Sequence, residues 1–368
     1  MSSTKQVIIV GGSYAAILAL KTLLAATKAV KLDITVVAPN EKAFFNICVP
    51  RLLIENVSIE KIAFPLGESI NNLVQGTIHR AIHIQSSVTQ VDFNKKSVTI
   101  ADGSELTYDN LILASGARSV SPIWKLDSIK DIDYTLDSIK EASAQIKNAK
   151  SIAIIGGGTT GVETAGELGH EFKGGKEIVL YTGSSGPLSK VLPNHVSSVT
   201  DKLKKLNIEI VNNQLVKKQG KSTIALEDGT TRDFDVILEA YKLLPNTEYL
   251  PQEVLDKRSY VITDEFFRLR DHHEVICLGD ILALGQQSLV DLTYNQKPVF
   301  TKTVSCEVFG DSSVKLAPYV KPTKATVLVP IGRDGGVGAV FGFSIPSFVV
   351  WLAKSRNFVI PKAPGFFT

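Results

Sequence analysis

Near its start, in QVIIVGGSYAAILAL (6–20), the chain sets an unbroken apolar run, Val7–Val10, before two glycines, Gly11 and Gly12, and then a small and aliphatic stretch. A run of β-branched residues, a glycine break and a small-residue stretch predict a buried strand, a tight turn and a helix. The same order returns at 151–165, SIAIIGGGTTGVETA. A second apolar strand follows each copy, over Leu32–Val37 and Glu177–Tyr181. Further on, VTQVDFNKKSVTIADGSELTYDNLILASG (88–116) parallels LVKKQGKSTIALEDGTTRDFDVILEAY (215–241). In each, an Asp-Gly pair (Asp102-Gly103, Asp228-Gly229) joins alternating strands, as an antiparallel hairpin requires. Tyr108-Asp109 and Phe234-Asp235 then lead into a buried apolar strand. Matching order over two separate stretches predicts one α/β unit written twice, each copy with an inserted hairpin.

After the second copy, HHEVICLGDILAL (272–284) reads as a strand ending at Gly279-Asp280. The tail from Val314 is neither low in complexity nor charged enough to be disordered. It holds the strand-like ATVLVPIG and the apolar stretch IPSFVVWLAKSRNF, a small third element. There Ile345, Phe348, Val349 and Leu352 fall at helical spacing, with Trp351 beside them and Lys354 and Arg356 after. That pattern suits a helix laid on a bilayer surface, and equally a helix face packed on the first unit.

Composition narrows the picture without changing it. The 368 residues are 44% hydrophobic and 21% charged, ordinary values for two or three globular domains. Lys+Arg is 40 against Asp+Glu 37, so a concentrated basic face for nucleic acid is not expected. Cys48, Cys277 and Cys306 make no disulfide framework and lack zinc spacing, which points to a reducing compartment. The six histidines lack metal-motif spacing, so no metal site is expected. Lys5 before an apolar run imitates a secretory leader, but Gly11-Gly12 break the run and no cleavage site follows. The expectation is a cytoplasmic protein that is not secreted, with no run near the roughly 20 apolar residues of a membrane span.

The glycine turns carry the candidate chemistry. Gly156-x-Gly158-x-x-Gly161 stands between a strand and a helix, where glycine lets backbone N–H groups approach a pyrophosphate at a helix start. The alternative is a purely structural turn. The first turn departs from this spacing: Ser13 takes the second glycine place and Ala16 the third. Alanine is accepted at the third, whereas Ser13 is less comfortable where phosphates approach. The following strand offers Ala38 and then Asn40 where an acid normally holds a ribose. The second unit offers Tyr181-Thr182, again without an acid, so NADH and NADPH both remain open.

The order GGSYAA, Arg51, LILASGA, GGGTTGVETAGE, LLPN and VICLGD resembles the two-dinucleotide-binding-domain flavoproteins. More narrowly, Arg51 and the tail GRDGGVGAVFGFSIPSFVVWLAKSRNF (332–358) resemble the apoptosis-inducing-factor-like NAD(P)H:quinone oxidoreductases of the ferroptosis-suppressor branch. The resemblance implies an α/β fold: a split, Rossmann-like FAD domain over 1–118 and 250–313, an NAD(P)H domain over 119–249, and a short C-terminal α+β domain over 314–368. It implies FAD with NADH or NADPH as cofactors. By position, Gly11, Gly12, Ser13, Tyr14 and Ala15 would wrap the FAD pyrophosphate, Arg51 would contact the FAD, and Val88 the adenine through its backbone. Ala114-Ser115-Gly116 replaces the family's Ala-Thr-Gly, Asp280 would hold the ribityl chain, and Glu163 would lie near the nicotinamide end. Ala38 and Ser13 are the two departures, and they bear on FAD affinity rather than on fold.

The implied activity is transfer of hydride from NAD(P)H through flavin to a quinone-type acceptor, the flavin carrying the chemistry. Phe341 and Phe343 are candidates for contacting the quinone ring, with core packing as the alternative. A second reading makes Cys48, in FFNICVPRLL, the thiol of a disulfide or persulfide reductase or an NADH oxidase, although no second cysteine stands at CxxC spacing. A third is a slow NADH sensor acting through partner binding. A lipid-borne acceptor would bring the C-terminal segment to a membrane as a peripheral contact.

Overall fold

The computed structural model describes residues 4–26, 30–285 and 288–368. Its first sheet has six strands in the order Arg268–Leu269, His272–Cys277, Asn110–Leu113, Lys5–Val10, Leu32–Ala38 and Arg80–Gln85. All neighbours are parallel except the outermost pair, Arg268–Leu269 against His272–Cys277. Val7–Val10, Leu111–Leu113 and Val275–Cys277 are buried on both faces, which is why these strands read as unbroken apolar runs rather than as alternation.

The second sheet repeats the plan with four parallel strands, Ile208–Val211, Glu177–Tyr181, Ser151–Ile155 and Val236–Glu239. Each unit carries its three-stranded antiparallel insert: Val88–Asp92, Ser97–Ile100 and Glu105–Thr107 in one, Val216–Gln219, Thr223–Leu226 and Thr231–Asp233 in the other. Both Asp-Gly turns close as the sequence predicts. Gly103 and Gly229 have φ of +85° and +84°, and their N–H groups donate to Ile100 and Leu226.

The chain crosses between the units on two paired strands, Ala117–Ser119 and Leu243–Pro245, which run antiparallel. The return to the first unit supplies its strand His272–Cys277, so the first sheet is assembled from both ends of the chain. A hairpin of Val327–Pro330, Gly336–Val340 and Phe343–Ser344 follows. The helix Ser347–Val350 then continues in wider turns through Ser355, where the Arg356 N–H reaches back to the Trp351 carbonyl. The last turn, Pro364–Phe367, buries Phe367 against Tyr14 and Phe64, with ring centroids 4.9 and 5.3 Å apart.

Candidate active site

The two glycine turns are built by the same contacts. Gly11 and Gly156 have φ of +123° and +128°, which side chains avoid. A Cβ on Gly11 would lie 2.3 Å from the Ala114 carbonyl oxygen, and one on Gly156 2.4 Å from that of Ala240. Gly12 and Gly157 each press on the end of the second strand, their would-be Cβ 2.7 Å from the Cβ of Ala38 and of Thr182. Ala38 and Thr182, the residues standing where a ribose-binding acid is sought, are thus packing residues behind the turns.

Gly158 is different. Its φ of −78° is open to any residue, and nothing lies within 4 Å of a Cβ built there. Neither conformation nor packing demands glycine, so what its missing side chain leaves is space. That space opens at the start of the helix Thr159–Phe172, whose first N–H groups have no acceptor inside the helix. A pyrophosphate fits such a cradle in size and charge. Ser13 holds the equivalent place ahead of the helix Tyr14–Leu24, with an ordinary φ of −116°. Its hydroxyl makes no capping bond and stays available to donate to an anion. The serine puts a Cβ where the other turn has none, yet adds a donor the other lacks.

On the helix Thr159–Phe172, Glu163, Gly166, Glu167 and His170 share one face at helical spacing, and that face meets the C-terminal segment. The Lys354 ammonium donates to Glu163 at 2.6 Å. Gly166 lets the C-terminal backbone close in, since its Cβ would lie 2.6 Å from the Gly332 nitrogen. Glu167, fully buried, takes a forked contact from Arg51, with Nε at 2.5 Å and Nη2 at 3.2 Å. His170 Nδ1 stands 3.6 Å from the Asp334 carboxylate. Burial raises the pKa of both Glu163 and Glu167, and Lys354 and Arg51 respectively oppose that rise. Phe358 completes the seam: buried, with Arg51 and Lys354 set over its ring at 5.1 and 5.9 Å.

The other residues singled out in the sequence fall in several places. Arg51 Nη2 also donates to the Ser355 carbonyl at 2.9 Å, so Nε and Nη2 are engaged by two distant segments, while Nη1 faces Glu55 at 3.6 Å. Asp280 pairs with Lys125 at 2.5 Å, and the turn before it is pinned by a bond from the Gly279 N–H to Gln296. Gln296 in turn donates to Asp291, a buried carboxylate that also accepts from Asn295 and Tyr319. Ala114 is buried behind Gly11, while the Ser115 hydroxyl beside it donates to the Asn246 carbonyl at 2.7 Å, at the crossing between units. Gly116 takes φ of +68° there. Val88 opens the first insert, opposite Ile100.

Cys48 is fully buried and donates to the Phe45 carbonyl. Burial pushes its thiol up to about 12, outweighing the help of Arg51. None of the three cysteines forms a disulfide. Phe341 and Phe343 lie at the turn of the C-terminal hairpin with most of their surface in solvent, not in the core.

Lys125, Glu167 and the inward turn of Lys354 are the site residues that sequence pattern did not assign a role. Each acts through a partner far along the chain, and no local spacing announces such a pair.

Two largely parallel sheets, each with a glycine turn at a helix start, define an α/β fold of two Rossmann-like nucleotide-binding units. The chain belongs to the pyridine nucleotide-disulphide oxidoreductase family, whose model matches residues 5–298. Its cofactors are FAD and a nicotinamide nucleotide, and it is a flavin-dependent oxidoreductase. It is 28% identical to an oxidoreductase of Pestalotiopsis fici, over 97% of this chain and 98% of that protein. It is 22% identical to the ferroptosis suppressor protein 1 of Xenopus tropicalis, over 97% and 94%. The sulfide:quinone oxidoreductase of Aquifex aeolicus has the same fold, with a TM-score of 0.78 at 15% identity, covering 99% of this chain and 92% of that one.

Proposed function

We propose that this protein passes reducing equivalents from NADH or NADPH through FAD to a quinone-type acceptor. The observation that favours direct transfer from flavin over a thiol route is the burial of Cys48. Thiol routes to disulfides or persulfides need a reachable thiolate, and a buried thiol near 12 is almost wholly protonated at neutral pH. With no partner cysteine, the chain is left to hand electrons directly from the flavin.

In this reading Gly11, Gly12, Ser13, Tyr14 and Ala15 hold the FAD pyrophosphate, and Gly156, Gly158, Gly161 that of the nicotinamide nucleotide. Asp280 accepts from flavin hydroxyls, oriented by Lys125 and by the Gln296 bond to Gly279. Val88, Ala114 and Gly116 line the FAD through backbone. Arg51 ties the helix Val49–Leu52 to the second unit through Nε and Nη2, and its Nη1, which has only Glu55 at 3.6 Å, is left to contact the FAD. FAD, when bound, relays two electrons as hydride between nicotinamide and acceptor.

The test is an anaerobic titration with NADH followed by menadione, reading the flavin absorption. Bleaching by NADH and recovery on menadione, both unchanged in Cys48→Ser, are expected. Recovery that fails with menadione, or is lost in Cys48→Ser, rules the reading out.

A further inference from the structure

We infer that the C-terminal hairpin and helix form a docking surface for an anionic lipid bilayer. Exposed apolar side chains concentrate in one short segment, with Phe341 at 69%, Phe343 at 73% and Phe348 at 67% exposure, followed by Trp351 and Leu352. Phe348, Trp351 and Leu352 share one helix face, while Val350 and Ser355 on the other are buried. Phe341 sits at the hairpin tip with φ of +50°, a conformation a bulky residue seldom adopts, and its N–H is tied to the Thr326 hydroxyl at 2.9 Å. The tied backbone thus presents the aromatic ring outward.

The charge around this surface names the occupant. Residues 314–368 carry seven Lys and Arg against one acid, a net +6 in a chain whose total is only +3. No Asp or Glu follows Asp334. Lys354 and Arg333 are spent on Glu163, Glu55 and Glu171. Among the described residues Lys315, Lys321, Lys324, Arg356 and Lys362 form no ion pair, and Lys324 stands 5.8 Å over the Phe343 ring. Aromatic rings that reach acyl chains, with Lys324 over one of them and the exposed Arg356 one helical turn beyond Leu352 to meet lipid phosphates, match a negatively charged bilayer better than a neutral one. No helix among the described residues is long and apolar enough to cross a membrane. This surface differs from an amphipathic helix alone, because the hairpin tip contributes the most exposed rings and Lys354 turns inward. Its test is independent of turnover, so the quinone reading can fail while docking stands.

The experiment is co-sedimentation of the full-length protein with phosphatidylcholine vesicles, with and without about 30% phosphatidylserine, at low and high salt. Binding to the anionic vesicles is expected, falling about tenfold in Phe341→Ser/Phe343→Ser and again in Lys324→Glu/Arg356→Glu, and weakening with salt. Unchanged melting temperatures of both variants show that the fold is intact. Equal binding to neutral and anionic vesicles, undiminished binding by the variants, or no binding to either vesicle overturns the inference.

Discussion

Glu167 shows how much one buried charge can be made to hold. Its carboxylate is fully buried, and what keeps it there is the fork of Arg51, itself anchored on the Ser355 carbonyl and lying over Phe358. Removing one member leaves the other charge dry and uncompensated, which costs about 3–5 kcal/mol. Replacing both with apolar residues avoids that cost. Glu167→Ala is therefore expected to lose about 3–5 kcal/mol in denaturant unfolding, while Arg51→Met/Glu167→Leu recovers most of it. A double variant as unstable as the single would show that the pair, and not the burial, supplies the stability. Nothing local in the sequence distinguishes Glu167 from a solvated helix glutamate, because its partner lies in another domain. The same holds for Lys125 and Asp280, which meet only when two distant segments fold together.

At the scale of elements the sequence was far more legible, because a strand, a turn and a helix start each leave a local mark. The strand Glu177–Tyr181 has the predicted bounds, and Leu32–Val37 extends by one residue to Ala38. Both hairpin turns fall on their Asp-Gly pairs. What pattern could not separate was the reason for each glycine. Gly156 is required by its φ and by the Ala240 carbonyl behind it, Gly158 by neither. The two substitutions should accordingly fail in different ways. Gly156→Ala is expected to lower the melting temperature by several degrees, since strain and clash act on the folded state. Gly158→Val should leave the melting temperature near wild type and weaken NADH binding about tenfold or more, read by titration of the flavin bleaching. Equal destabilisation by both would mean that the second turn is structural throughout. The C-terminal aromatic residues mark the opposite limit. Their spacing admits a helix face in contact with something, and only the fold shows Phe348, Trp351 and Leu352 turned outward while Val350 turns in.

The whole molecule is divided unequally along its chain. The second sheet is drawn from one continuous stretch, Ser151 to Glu239, whereas the first needs His272–Cys277 to lie beside Asn110–Leu113. During synthesis, then, the unit that begins first is finished last, and its apolar edge at Asn110–Leu113 must wait for a strand not yet made. Distant pairings form slowly because loop closure precedes any gain. In pulse-labelled refolding, amide protection should therefore appear across Ser151–Ile155 and Val236–Glu239 before it appears in Val275–Cys277. Simultaneous protection would mean that the units fold as one. An edge left open for that interval is a nascent-chain hazard, a bare strand ready to pair with a neighbour on the same polysome.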